Sequence, residues 1–290
     1  MKSEFRASYY DIAYNTFISD TIITLRNHSL NCSTKQLNEK PNIILLILYF
    51  SLKFLGGIIG MSVEKLKDPN MAILVTIVLT VIVAIESLYF VPWAPYFLIY
   101  AALAIIIPLY TKSYKFGRIT EIFKDEKLKF FIVALIAAFA YSLIMDNLYA
   151  LILESSGLKN NPYFDLNAAL VELATAAGLK FGISTFDAIL IYAIYVIIWA
   201  PIGEELLYRG YLYGEMKKKY GILVSTIVST FFFGIRHTVH FLMLPNFPLV
   251  SALYWALHAF IFGLIMVYAY EKTDTLYAPM IIHFLANLLL

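Results

Sequence analysis

The stretch Ala200-Pro201-Ile202-Gly203-Glu204-Glu205-Leu206-Leu207-Tyr208-Arg209-Gly210 sets two adjacent carboxylates and a guanidinium into one of the most apolar parts of a very apolar chain. Ionisable groups at membrane depth are costly to desolvate, so they face one another or a polar cavity and mark a functional site. The surrounding sequence establishes the depth. Of 290 residues, 61% are hydrophobic and 16% aromatic, and the mean hydropathy is +0.75, far above what a soluble domain with a polar coat can carry.

Repeated apolar runs of roughly 17 to 25 residues match the length at which a helix crosses hydrocarbon. The strict alternation of a membrane barrel is absent. The expected fold is therefore all-α, a polytopic helical bundle of about eight transmembrane helices. The spans are expected at 42–60, 71–91, 94–110, 129–153, 186–203, 221–238, 250–270 and 276–290. Pro92 and Pro95, the basic loop 111–129, the loop 156–163, the Lys217-Lys218-Lys219 cluster and Pro245/Pro248 supply the breaks. Three regions follow: a polar N-terminal extension over 1–41, N-terminal transmembrane helices over 42–185, and a helical core over 186–290 that carries the charged motifs.

A net charge of +2 excludes nucleic acid as a natural partner, and the lipid bilayer takes its place. The loops 111–129 and 211–220 hold most of the lysine and arginine between spans, which favours the cytoplasm for that end, while Lys2, Arg6, Arg26, Lys35 and Lys40 in the extension pull the other way. The chain reads as an integral, multi-pass protein of the cell membrane. Cys32, the one cysteine, has no partner for an internal disulfide and no histidine at metal-ligand spacing.

On a helix Glu205 and Arg209, four apart, share a face in the favourable acid-then-base order, whereas Glu204 is turned about 100° away. The spacing predicts Glu205 and Arg209 as a structural pair and leaves Glu204 for chemistry. Further on, Phe233-Gly234-Ile235-Arg236-His237 places an imidazole near the far end of the next apolar run. If the chain reverses near Lys219 to Gly221 as an antiparallel helix pair, Glu204 and His237 lie at matched depth. In the last span His283 and Asn287 share a helical face in an otherwise apolar run.

Each piece alone has a plainer reading. A Glu-Glu-Arg patch can be a solvated interfacial cluster, a single histidine is commonly structural, and a His-xxx-Asn pair can knit two helices together. Three such pieces on three apolar helices shift the balance to a site. His258 reads as a packing histidine; Asp146 fits a helix contact or a site role equally; Gly56 and Gly60 read as small residues at a span end. Glu86, Glu172 and Asp187 lie near span ends, where solvation explains them, and His240, one helical turn past His237, falls in the following loop.

A carboxylate and an imidazole can orient and deprotonate a water, while a second imidazole and a carboxamide can donate to the oxygen of a tetrahedral intermediate. Such a set hydrolyses an amide without a covalent step. No Ser or Cys stands in a nucleophile motif and no His-Glu-x-x-His occurs, so no cofactor is expected, with a zinc site from Glu204, His237 and His283 left open.

These residues resemble the motifs of the CAAX-protease and bacteriocin-processing membrane proteins, also called Abi or type II CAAX proteases. The motif Glu-Glu-xxx-Arg is similar to Glu204-Glu205-xxx-Arg209, Phe-xxx-His to Phe233-xxx-His237, and His-xxx-Asn to His283-xxx-Asn287, with the stretch Glu271 to Pro279 similar to the usual lead-in. The resemblance covers roughly residues 186–290. It implies an intramembrane, glutamate-dependent endopeptidase acting on a membrane-associated protein or peptide, prenylated or not. It also implies that Glu204 and His237 activate water, that His283 and Asn287 stabilise the oxyanion, and that Glu205, Arg209 and Phe233 support the site. Arg236 departs from the family's usual apolar residue; it would contact a substrate carboxylate or reach the interface. The alternative class is a non-catalytic polytopic protein, an immunity or regulatory factor or a transporter, using the same groups for a ligand or proton. The lack of internal symmetry weighs against a transporter.

Overall fold

The computed structural model describes residues 56–57, 60–90, 98–158, 184–239, 242 and 249–289. Nearly all of them belong to one compact unit, Ile58–Leu290. The extension 1–41, Cys32, most of the expected span 42–60, Glu172, His240 and the side chain of Glu86 lie outside the described residues. Those described form helices and short turns, with no strand among them.

A short helix, α1 (Val63–Leu66), leads into α2 (Pro69–Phe90). Asp68 starts α2: its Oδ1 accepts the backbone N–H of Asn70 at 2.9 Å and of Met71 at 3.2 Å, and Pro69 stands where a missing N–H costs nothing. Next come α3 (Leu98–Thr111) and, after a 3-10 turn at Ile119–Phe123, the long α4 (Asp125–Ser155).

The segment 185–238 departs from expectation. It runs as α5 (Thr185–Ile194), a π-helical turn (Tyr195–Trp199), α6 (Ala200–Glu205), a second π-helical stretch (Leu206–Tyr213) and α7 (Gly214–Thr238). The expected loop at 211–220 is thus corrected: it is helical, and the reversal is confined to Gly221, whose φ of 75° is open to glycine without the steric cost a Cβ brings. The limbs on either side of Gly221 lie antiparallel, tied where Ser229 Oγ donates to the Tyr208 carbonyl at 2.8 Å. Last come α8 (Leu249–Thr273) and α9 (Tyr277–Leu289).

In the bundle α7 packs along α8, α8 along α4, and α2 along α7, while α3 lies against α6 and the second π-helical stretch, and α9 against α6 and α8. Two glycines let α7 and α8 approach closely. A Cβ on Gly234 would come within 2.6 Å of the Ala256 carbonyl oxygen, and one on Gly263 within 3.1 Å of Thr230 Cγ2.

Three described stretches, Glu126–Ser155, Ile189–Thr238 and Leu249–Thr273, are long and apolar enough to cross a membrane; Pro69–Ile85, Tyr100–Thr111 and Tyr277–Leu289 are shorter apolar helices. Ile189–Thr238 doubles back at Gly221 and so contains the expected spans 186–203 and 221–238 as two limbs. Large apolar side chains face outward along these helices, Ile144 at 65% and Leu223 at 72% exposure among them, which suits lipid rather than water. The protein is an integral membrane protein with an all-helical fold.

Polar contacts gather at one end. Lys115 pairs with Asp274 at 2.9 Å, Lys217 reaches both carboxylate oxygens of Glu271 at 2.6 Å, and Tyr220 donates to Asn70 at 2.6 Å. The loop after α3, the Gly221 turn, the start of α2 and the α8–α9 turn therefore lie together. Glu204, 17 residues before Gly221, sits about 25 Å along the limb from that end at about 1.5 Å per residue.

Candidate active site

The site is built on the hairpin. Glu204 and Glu205 end α6, both buried, at 3% and 0% exposure. Successive helical residues diverge by about 100°, so the two carboxylates find different partners. Arg209 Nη1 donates to Glu205 Oε1 at 3.1 Å, and His283 Nδ1 donates to the same oxygen at 2.9 Å. The interaction spans two parts of the chain: Arg209 lies four residues on, while His283 arrives from α9.

Glu204 is not left without a counter-charge. Arg236, buried at 1% exposure, brings Nη2 to 3.8 Å from Glu204 Oε1. This corrects the expectation that Arg236 reaches the interface. The antiparallel limbs match residue 204 with residue 236 as closely as with 237, so the depth argument that selected His237 selects Arg236 too. Two carboxylates and two guanidinia thus balance formally in a buried region, where an unpaired charge would cost several kcal/mol.

Phe233 lies at the centre of the group. The Arg209 guanidinium carbon stands 4.3 Å from its ring centroid, and the rings of His237, Tyr208 and His283 meet it edge-on at 4.7, 5.2 and 6.0 Å. An aromatic face under a desolvated guanidinium is attractive through the ring quadrupole. His237, half-buried, donates Nδ1–H to the Phe233 carbonyl at 2.8 Å, which fixes the ring and assigns its Nε2 as the acceptor for a proton.

Asn287 has a contact whose cause lies in the sequence. In the first π-helical turn the N–H of Ala200 donates to the Tyr195 carbonyl, five residues back. The next donor in that pattern would be residue 201, and Pro201 has no N–H. The Val196 carbonyl it would have met is instead taken by Asn287 Nδ2, at 2.9 Å. A carboxamide carries two N–H bonds, so one remains to Asn287 beyond this contact. π-Helical turns occur often at functional sites.

Tyr100 of α3 was not singled out by sequence. It is fully buried, its ring lies 4.7 Å from the Arg236 guanidinium carbon, and its hydroxyl stands 3.3 Å from that of Tyr208. Trp199 fills the space beside Gly203, where a Cβ would lie 2.6 Å from the indole, and meets Tyr100 edge-on at 6.1 Å.

Asp146 lies exposed on α4 and does not join the group. Asp187 is exposed and accepts from Ser184 Oγ at 2.6 Å at the start of α5. His258 is buried between stacked aromatic rings, Tyr141 at 5.3 Å and Phe262 at 6.4 Å, in a packing role. At Gly56 a Cβ would meet nothing within 4 Å among the described residues. Among the described residues no three His, Cys, Asp or Glu side chains group to hold a metal ion.

Compared with known proteins, residues 186–289 match the family model described as type II CAAX prenyl endopeptidase Rce1-like. No curated protein and no solved structure matches the chain.

Proposed function

We propose that this integral membrane protein, whose residues 186–289 match the type II CAAX prenyl endopeptidase Rce1-like family model, is a multi-pass intramembrane endopeptidase of about eight spans that uses Glu204 to activate water. Its substrates are membrane-associated proteins or peptides, with prenylated C-terminal Cys-a-a-X segments the first class to test. The observation that carries the reading is the separation of two adjacent buried carboxylates, Glu205 bonded to both Arg209 and His283, Glu204 opposed by Arg236 only at charge contact of 3.8 Å. A carboxylate at that distance keeps lone pairs available for a water proton.

In the proposed reaction Glu204, with His237, takes a proton from water as its oxygen attacks the scissile carbonyl. The carbonyl π bond breaks, and the charge collects on the oxyanion, toward which the second N–H of Asn287 and the Nε2 side of His283 supply donors. Donation from His283 Nε2 requires a proton there as well as the one that Nδ1 gives to Glu205. The intermediate then collapses, the C–N bond breaks, and the proton held by the Glu204–His237 pair passes to the leaving amine. Glu205, Arg209 and Phe233 hold the frame. No step calls on a metal.

The test is a cleavage assay of the purified protein against membrane-tethered peptides, prenylated and unprenylated, comparing wild type with Glu204→Ala. Cleavage by wild type and none by the variant is expected; full cleavage by Glu204→Ala overturns the mechanism. Failure of wild type on every peptide supports a non-catalytic role in immunity, regulation or transport. A preparation shown by elemental analysis to be metal-free is expected to keep its activity, and loss restored by zinc would replace the water-activating pair with a metal.

A further inference from the structure

Tyr100 and Arg236 form a contact that crosses from the family-matched segment to a helix outside it. Tyr100 belongs to α3, well before residue 186, where the match begins. Both side chains are buried, at 0% and 1% exposure. A buried guanidinium needs more than one compensating group, because the attraction to a single partner seldom repays its lost hydration. Arg236 has Glu204 on one side at 3.8 Å and the Tyr100 ring on another at 4.7 Å. The ring face is well suited to that place: it attracts the cation without competing for its charge as a second carboxylate would.

The Tyr100 ring is itself held in place. Its hydroxyl lies 3.3 Å from that of Tyr208, whose backbone carbonyl accepts from Ser229, and its edge meets Trp199 at 6.1 Å. Trp199 in turn packs against Gly203, the residue before Glu204. Two routes therefore run from Tyr100 to Glu204, one through the Arg236 side chain and one through the turn that carries the carboxylate. We infer that Arg236 and Tyr100 are positioning residues that hold Glu204 in place, and that α3 is part of the site although it lies outside the matched segment. The inference rests on Glu204 being the water-activating group.

The test uses the full chain, purified in a membrane mimetic, and two readouts. In cleavage kinetics Arg236→Gln is expected to lower kcat by about 10²-fold, the scale of a small misplacement of a reacting group, with KM unchanged. Arg236→Lys, which keeps the charge, is expected to recover part of that loss, and Tyr100→Phe, which keeps the ring, to retain more turnover than Tyr100→Leu. An unchanged kcat, or a loss confined to KM as substrate recognition by Arg236 would give, overturns the inference. The second readout needs no substrate: thermal unfolding of Glu204→Gln, Arg236→Gln and the double variant. The double variant is expected to lose less than the sum of the single losses, because each removes the same pair; additivity overturns the inference. If wild type cleaves nothing, the proteolytic reading fails while the thermal cycle still decides the pairing.

Discussion

Glu204 and Glu205 are neighbours in sequence with opposite surroundings. Glu205 has both Arg209 and His283 on one oxygen, at 3.1 and 2.9 Å, so its position is fixed from its own helix and from α9 together. Glu204 has a guanidinium at 3.8 Å, drawn from the opposite limb of the hairpin and backed by an aromatic ring from α3. One peptide unit and a turn of about 100° separate a carboxylate tied by two hydrogen bonds from one met by a guanidinium at charge contact. Adjacent identical side chains can thus take different tasks without any change of chemistry.

The largest expected effect tests that division directly. Glu204→Gln is expected to lower turnover by about 10²- to 10⁴-fold, the usual worth of a positioned acid or base, while the thermal midpoint falls by less than in Glu205→Gln. A midpoint drop as large as that of Glu205→Gln would erase the distinction between the two carboxylates. Arg209→Leu acts on the scaffold side: it leaves Glu205 buried without its cation and is expected to cost about 3–5 kcal/mol of stability, measured by unfolding in detergent, with activity lost in parallel.

Gly263→Ala is the steric version of the same experiment. Its Cβ would stand 3.0 Å from Arg209 Nη2, pressing the guanidinium away from its place, with an expected loss of about 1–3 kcal/mol in the same unfolding assay. The smallest effect is expected at Glu121, in the loop outside the spanning helices. There a hydrogen bond from Lys124 at 2.6 Å holds the carboxyl below the usual carboxylate range. The stabilisation from this group is present above the ordinary carboxylate pKa and disappears as pH falls through the lowered one. Lys124→Ala should return the Glu121 titration midpoint, followed by NMR, toward the ordinary value, leaving turnover unchanged; a change in turnover would mean that the exposed pair communicates with the buried ones.

The hairpin and the Glu205–Arg209 pair are legible in sequence because both rest on fixed helical arithmetic: four residues make about one turn, and equal distances from a reversal give equal depth. The pairing of Glu204 with Arg236 follows from the same depth but needs the rotation of one limb about its axis, which decides whether residue 236 or 237 faces across. Sequence periodicity in an almost uniformly apolar limb does not fix that rotation. Tyr100 is harder still, one of 22 tyrosines in a chain with 16% aromatic content, and nothing in its own helix marks it. The reversal near Lys219 to Gly221 is legible, but the three lysines read as a break although their long stems let charged heads reach the polar end from a continuing helix. The π-helical turns had one visible sign, Pro201, whose missing N–H makes the local ladder irregular.

The reversal at Gly221 also orders the assembly of this region in time. Both limbs of the hairpin lie within about fifty residues, and chains emerge from synthesis N-terminal end first, at about 5–20 residues per second. Glu204 and Arg236 therefore both emerge before His283 and Asn287, and α3, with Tyr100, precedes them all. Glu205 has Arg209 from the start but must wait for His283, and the Val196 carbonyl must wait for Asn287. A newly inserted hairpin thus carries the Glu204–Arg236 pair before the histidine and carboxamide of α9 arrive, so the proposed set of catalytic groups is complete only once α9 docks.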